Sequence, residues 1–235
     1  AMPDYVTHEI HIQPGGYVGD PFAGYIYYYG VNNFYGGSNY DDEVQAAIAA
    51  RVQVPKDDKK VMRILDLGCA TGRLTFAMKD RFPDAEVWGI DVGAPMVRFA
   101  HTRGVDLGKD VHFAQRLAED TKFPDNHFDL VISYIMFHEV TSEAQDKIIA
   151  EAKRILRPGG VFFPMDFQTG KQAPKDTAYR TFAIWQDHKF NGEPWRMEYA
   201  SRDFGQLVKK HGFEVDESIR AARRGHGAIM GTKPA

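Results

Sequence analysis

The run Ile64-Leu65-Asp66-Leu67-Gly68-Cys69-Ala70-Thr71-Gly72-Arg73 places an acid and two glycines at D-x-G-x-x-x-G spacing, directly after a short apolar stretch. A buried strand that ends in such a loop and continues into a helix, here over residues 74–82, cradles nucleotide-like ligands. Gly68 permits a tight turn, and Gly72, lacking a Cβ, lets ligand or helix backbone come close. The spacing departs from the G-x-G-x-x-G that wraps a pyrophosphate, and no Lys-Ser/Thr follows as in a phosphate-binding loop. An acid on a continuous apolar run is expensive to bury unless it faces a ligand, which singles out Asp66. Asp91 stands 19 positions after Gly72, at the end of a second apolar run, where a carboxylate accepts two hydrogen bonds from a ribose diol. The ligand so described has a ribose and no phosphates.

Two further pairs have residue types suited to proton transfer. His138-Glu139 follows the fourth candidate strand; a histidine accepts protons near neutral pH, and Glu139 is placed to orient it. Asp187-His188 lies in a stretch predicted to be irregular. Nothing around Cys69 marks an activated thiolate, so it reads as a small buried residue of the glycine loop. The nine histidines form no H-x-x-x-H, H-E-x-x-H or Cys/His cluster, so no metal site is expected. Arg220, Arg223 and Arg224 either receive an anionic substrate or form a solvated face.

The elements that position these residues follow from periodicity. From Val61 onward, short runs rich in branched residues alternate with amphipathic stretches, the signature of β-α units on a parallel sheet. Candidate strands cover residues 62–67, 86–91, 111–115, 128–134, 160–167, 213–218 and 226–232. Pro95 at a first turn and Gly104 at a stop bracket one helix; Ser142 with Gln145 reads as a capping box for another, and Ser201 as the cap of a third. Asp41, Asp42 and Glu43 favour the N-terminus of a helix with Val44, Ala47 and Ile48 on its buried stripe. Residues 169–201 form an irregular insert that carries Trp185, His188 and Trp195, on the side where α/β proteins place substrate contacts.

With 235 residues, a formal charge of −3, 43% apolar and 26% charged residues, the chain has the composition of a globular α/β protein of one main domain. A single cysteine forms no internal disulfide, and no apolar run approaches the roughly 20 residues of a membrane span, so a cytoplasmic protein without a membrane span is expected. The absence of a long Lys/Arg block argues against nucleic acid as partner.

The loop Asp66 to Gly72, Gly89-Ile90-Asp91, Ala118-Glu119 ahead of Phe123-Pro124-Asp125-Asn126-His127-Phe128-Asp129, and Leu156-Arg157-Pro158-Gly159-Gly160 occur in this order. In these features residues 61–167 resemble the class I S-adenosylmethionine-dependent methyltransferases, and within them the small-molecule enzymes of ubiquinone/menaquinone-methyltransferase type. The resemblance implies a Rossmann-like α/β sandwich with a seven-stranded, mostly parallel sheet and an antiparallel last strand. It implies S-adenosylmethionine as cofactor, with Asp66 and Gly68 at the methionine ammonium, Asp91 at the ribose and Val92 and Met96 flanking the adenine. Cys69, Gly72, Leu117, Ala118 and Ser133 complete the expected cofactor set. Leu117 stands where many relatives place an Asp, which leaves the adenine to backbone groups around Leu117 and Ala118. His138, with Glu139, takes the place of a histidine that faces the methyl group in many relatives.

Methyl transfer to an O, N or C nucleophile of a small, partly apolar acceptor is then the expected activity, of a monomer or homodimer. Its rivals are a protein that uses the same cofactor for a rearrangement or cyclisation, and a nicotinamide-dependent oxidoreductase, which the missing G-x-G-x-x-G disfavours. Residues 41–235 form the expected methyltransferase domain. Residues 1–40 hold ten aromatic residues, eight of them tyrosines, and seven glycines, a composition expected of a lid over a sulfonium site. Tyr17, Phe22, Tyr25 and Tyr29 of this lid, with Trp185 and His188 of the insert, are the candidate substrate contacts. Alternation along Tyr25-Ile26-Tyr27-Tyr28-Tyr29 offers a packed edge strand as the alternative.

Overall fold

β1 (Arg63–Leu67) is buried along four of its five residues, the pattern of a strand covered by helices on both faces. It pairs in parallel with β2 (Glu86–Asp91), Ile64 opposite Val87, and with β4 (Phe128–Tyr134), Ile64 opposite Leu130. β3 (His112–Gln115) joins β2, and β5 (Leu156–Phe167) joins β4, both in parallel. β7 (His226–Ala228) and β8 (Gly231–Thr232) run antiparallel to β5, and β6 (Glu214–Val215) runs antiparallel to β8. The order is β3-β2-β1-β4-β5-β8-β6, with β7 also beside β5. This computed structural model describes residues 2–57, 59–174, 177–219 and 226–235; the arginines 220, 223 and 224 lie outside them.

Successive strand residues face opposite layers. Leu65, Leu67, Val131 and Phe162 pack with Ile148, Ile149, Ala152 and Ile155 of α5 (Ser142–Ile155) and with Leu207 and Val208 of α8 (Phe204–Lys210). Ile64, Leu130, Ile132, Val161 and Phe163 pack with Leu74, Ala77 and Met78 of α3 (Arg73–Arg81) and with Ile48 and Ala49 of α2 (Glu43–Ala49). α4 (Ala94–Asp106) lies against β2 and β3 and buries Met96 and Ala100. The parallel sheet, its two helical layers and the antiparallel last strand are as the sequence predicts.

Several local features differ. The last predicted strand is interrupted between β7 and β8, where Ile229 N–H still donates to Pro164 O at 3.0 Å, so eight segments stand for seven strands. The insert 169–201 is helical rather than irregular, with α6 (Ala178–Phe190) and α7 (Arg196–Ala200). α6 buries none of its residues, so no apolar stripe betrays it. Helix caps shift by a residue or two: Thr141, not Ser142, accepts from Ala144 N, and Asp203, not Ser201, accepts from Gln206 N. Gly104 lies inside α4 rather than at its end.

The tyrosine-rich stretch is α1 (Ala23–Phe34), a helix and not an edge strand. Tyr25 and Tyr28 pack on Phe99 of α4, with ring centroids 4.8 and 5.1 Å apart. A buried cation fixes α1 and the start of α2 to α3. Arg73, 5% exposed, donates to Asn39 O at 2.6 Å, Tyr28 O at 3.1 Å and Asn32 Oδ1 at 3.3 Å. Its guanidinium lies 3.0 Å from Asp42 Oδ1 and 4.2 Å from the centre of the Tyr28 ring. A cation at the first turn of α3 opposes the helix dipole; these partners offset it. Arg73→Ala leaves Asp42 with Arg103 alone and removes the donor to Asn39 O, Tyr28 O and Asn32 Oδ1, and is expected to lower unfolding free energy by about 3 kcal/mol in chemical denaturation.

Candidate active site

The glycine loop takes its shape from three left-handed residues, Gly68, Ala70 and Gly72, with φ of 67°, 46° and 80°. Ala70 is the unusual member, since its Cβ disfavours that region. A hydrogen bond from outside the loop holds it: Ala70 N–H donates to Asp91 Oδ2 at 2.9 Å, while Gly93 N–H donates to Asp91 Oδ1 at 2.8 Å. Asp91 thus ties the loop to the start of α4. Burial raises its carboxyl pKa, and the backbone donors at Gly93, Ala70 and Val92 act against that rise. Asp66, 2% exposed, accepts from Thr75 Oγ1 at 2.7 Å. Burial pushes its pKa up to about 7; the Thr75 hydrogen bond only partly opposes this, and the nearby Asp91 charge adds to it.

Both acids face one cavity of about 320 Å³ at the C-terminal ends of the parallel strands, the position at which open α/β sheets bind ligands. Of the expected cofactor residues, Asp66, Gly68, Cys69, Asp91, Val92, Met96, Leu117 and Ala118 line it. Gly72 does not: it is the turn before α3, and a Cβ there would lie 2.7 Å from Phe113 Cζ. Ser133 is fully buried in β4, its hydroxyl without a hydrogen-bond partner among the described residues. Burial drives the Cys69 thiol well above its ordinary pKa, which suits a wall residue and not a nucleophile.

These residues fit S-adenosylmethionine. A buried acid held near neutrality, as Asp66 is, suits an arriving ammonium. Gly68 gives the chain a close approach that a side chain would deny, since its Cβ would stand 2.5 Å from Met136 Cγ in the cavity wall. Asp91 keeps an unused lone pair on each oxygen for a diol.

The other end of the cavity is charged and aromatic. His138, 1% exposed, sits between two acids: Nδ1 lies 2.8 Å from Asp166 Oδ1 and Nε2 lies 3.2 Å from Glu139 Oε1. Burial opposes its charge, yet the facing carboxylates of Asp166 and Glu139 outweigh this and push its pKa up to about 10. Burial likewise opposes the charge of Glu139, but His138 and His11 lower its pKa to about 2. His11 arrives from the N-terminal segment on a left-handed turn (φ 52°), with Nε2 3.5 Å from Glu139 Oε1 and Nδ1 3.5 Å from Glu193 Oε1. Asn191 Nδ2 lies 3.1 Å from His11 Nδ1.

Of the expected substrate contacts only Tyr17 lines the cavity. Phe22, Tyr25 and Tyr29 are 64%, 51% and 67% exposed, on the outer side of the helical segment. Trp185 stacks among Phe182 and Phe190 on α6, and His188 Nδ1 donates to Pro194 O at 3.0 Å, both away from the cavity. The helix lines the cavity with Tyr27, Val31 and the partly exposed Phe34 instead, a spacing visible once the stretch is read with helical rather than strand period. His11 and Glu193 carry no local signal; they meet Glu139 only through the tertiary fold. Tyr5 hydroxyl donates to Glu119 Oε1, closing the first turn of the chain over the cavity beside Ala118. Among the described residues, no three His, Cys, Asp or Glu side chains are placed to hold a metal ion, and no helix is long and apolar enough to cross a membrane.

Residues 64–160 match the family model of the methyltransferase domain. Demethylmenaquinone methyltransferase of Thermus thermophilus is 33% identical over 125 residues, which cover 53% of this chain and 56% of that protein. The chain spans somewhat over half the length of the curated relatives it matches. Among solved structures, the mitomycin 7-O-methyltransferase superposes with a TM-score of 0.69 at 17% identity, over 92% of this chain and 58% of that one. An S-adenosylmethionine-dependent methyltransferase from Aquifex aeolicus gives 0.59 at 19% identity, over 91% of this chain and 98% of that one. At these identities the structures bear on the fold alone.

His138 and Glu139 make stability depend on pH in opposite senses. The folded-state pKa of His138 is raised from its ordinary 6.5 to about 10, so its contribution is complete below 6.5 and is lost as pH rises through about 10. Glu139 is lowered from 4.5 to about 2, so its contribution is complete above 4.5 and is lost as pH falls through about 2. Thermal denaturation of the chain and of His138→Gln is expected to show a difference in Tm that is largest just below pH 6.5 and shrinks steadily toward pH 10. A constant difference across that range contradicts the buried imidazolium.

Proposed function

We propose that this chain, which carries a class I methyltransferase domain and fold, is an S-adenosylmethionine-dependent enzyme that methylates an O, N or C nucleophile of a small, partly apolar acceptor. One observation carries the reading: a single cavity joins the Asp66 and Asp91 cradle at one end to an enclosure of aromatic and charged side chains at the other. Asp91 would hold the ribose hydroxyls, Asp66 the ammonium, Val92 and Met96 the edges of the adenine, and backbone groups at Leu117 and Ala118 its amino face. The cofactor supplies an electrophilic methyl group. The protein's own part is to orient the acceptor and exclude water, which accelerates such displacements without covalent help.

His138 acts in this reading as a fixed cation rather than a free base. Both of its ring nitrogens already face carboxylates, and it stays protonated at neutral pH. It holds Glu139, which reaches the cavity wall. Residues 1–22 form the lid, with Tyr5 latched to Glu119 and Tyr17 and His11 presented to the acceptor. α1, fastened through Arg73, is its base.

Asp91→Ala is expected to weaken S-adenosylmethionine binding by about 1.5–3 kcal/mol in calorimetry, the range for a charge-assisted hydrogen bond. Because it also frees Ala70 and Gly93 N–H groups, it lowers stability as well. Affinity equal to that of the parent rules out the ribose role. The activity itself is read as acceptor-dependent release of S-adenosylhomocysteine; binding without release under a broad acceptor library contradicts methyl transfer. Deletion of residues 1–20 is expected to abolish turnover while leaving α1, Arg73 and the sheet folded by circular dichroism. Normal turnover of the shortened chain overturns the lid.

A further inference from the structure

Glu139 and Glu193 line the acceptor end of the cavity beside His138 and His11. Behind them Asp166, Arg196 and the partly exposed Asp187 complete a cluster of four acids and three cations. His138 is committed to Asp166 and Glu139, and Arg196, 3.7 Å from Asp187 and 3.9 Å from Glu193, lies over the Phe167 ring. Glu193 is only 4% exposed and lines the cavity. Its Oε1 accepts from Asn191 at 2.7 Å, but its Oε2, 3.9 Å from Arg196 Nε, is buried without a hydrogen-bond partner among the described residues. Glu139 Oε2, on the same wall, is in the same condition. A dry carboxylate oxygen without a donor is unfavourable, and a ligand bearing N–H groups or positive charge relieves it. A carboxylate, phosphate or phenolate placed there meets like charge at low dielectric. Tyr17, Tyr27 and Phe34 line the adjoining walls, and aromatic rings attract both apolar bodies and cations.

We propose, resting on the methyl-transfer reading above, that the acceptor is a small amine with an apolar or aromatic body, its nitrogen seated on Glu139 and Glu193. An amine that arrives as ammonium gives one proton to the Glu193 carboxylate. Its nitrogen lone pair then forms the N–C bond, and the electron pair of the breaking C–S bond leaves with sulfur. The methylated product keeps the positive charge that nitrogen acquires.

The test uses three probes of matched shape: 2-phenylethylamine, 2-phenylethanol and 3-phenylpropionate. Each is titrated by calorimetry into the full chain saturated with S-adenosylhomocysteine. The amine is expected to bind at least about tenfold tighter than the alcohol, with the carboxylate weakest. Glu193→Gln is expected to bring amine and alcohol within about threefold of each other without changing S-adenosylhomocysteine affinity. Equal or tighter binding of the alcohol or the carboxylate, or no binding of the amine, overturns the proposal from the unsubstituted chain alone, whatever the variant's folding. Those outcomes leave methyl transfer standing as long as S-adenosylhomocysteine binds. If it does not bind, the underlying methyl-transfer reading fails first.

Discussion

The carboxylate of Asp91 takes the N–H of Ala70 on one oxygen and that of Gly93 on the other. Both donors are left over by local structure. Ala70 sits in a left-handed turn outside any ladder, and Gly93 precedes α4, whose first N–H groups have no acceptor inside the helix. One side chain therefore sets the distance between the glycine loop and the helix that flanks it. The walls that meet there, Gly68 to Thr71 on one side and Val92 and Met96 on the other, are those of the cavity. Without the carboxylate, a strained alanine and an open helix end would each need another partner.

The same physics, with different signs, governs the opposite end. Asp66 is buried with a hydroxyl as partner and no cation beside it, and its pKa rises toward neutrality. Glu139 is buried beside two histidines, and its pKa falls instead. Desolvation is common to both; what separates them is whether the fold supplies a positive charge within reach. The molecule thus offers one acid ready to receive a cation and another already holding one, at the two ends of a single enclosure.

The N-terminal segment meets the sheet in two ways. Arg73 threads between Asn32, Tyr28, Asn39 and Asp42 and fixes α1 and α2 through a buried charge. The residues before α1 form short 3-10 turns with His11 and Ile12 at positive φ, and they reach the cavity through several contacts, Tyr5 with Glu119 and His11 with Glu139 and Glu193 among them. The tyrosines divide accordingly: Tyr25 and Tyr28 brace Phe99, whereas Tyr17 and Tyr27 face the cavity.

The sequence by itself determined the parallel sheet, because its strands are short continuous apolar runs between amphipathic helices, and it marked the glycine-loop end of the cavity, because the loop and Asp91 lie within 26 residues of one another, from 66 to 91. Chemistry at that range is written locally, in a D-x-G-x-x-x-G run and an acid at the end of the next strand. The opposite end was decided by tertiary structure. His11, Glu139, Asp166 and Glu193 come from four distant stretches, and only their packing tells whether a histidine there is a free base or a clamped cation. The tyrosine stretch shows the same limit: its alternation fits a strand, but burial against Phe99 on one side and the cavity on the other selects a helix. Period alone does not say which partners will be there to cover each face.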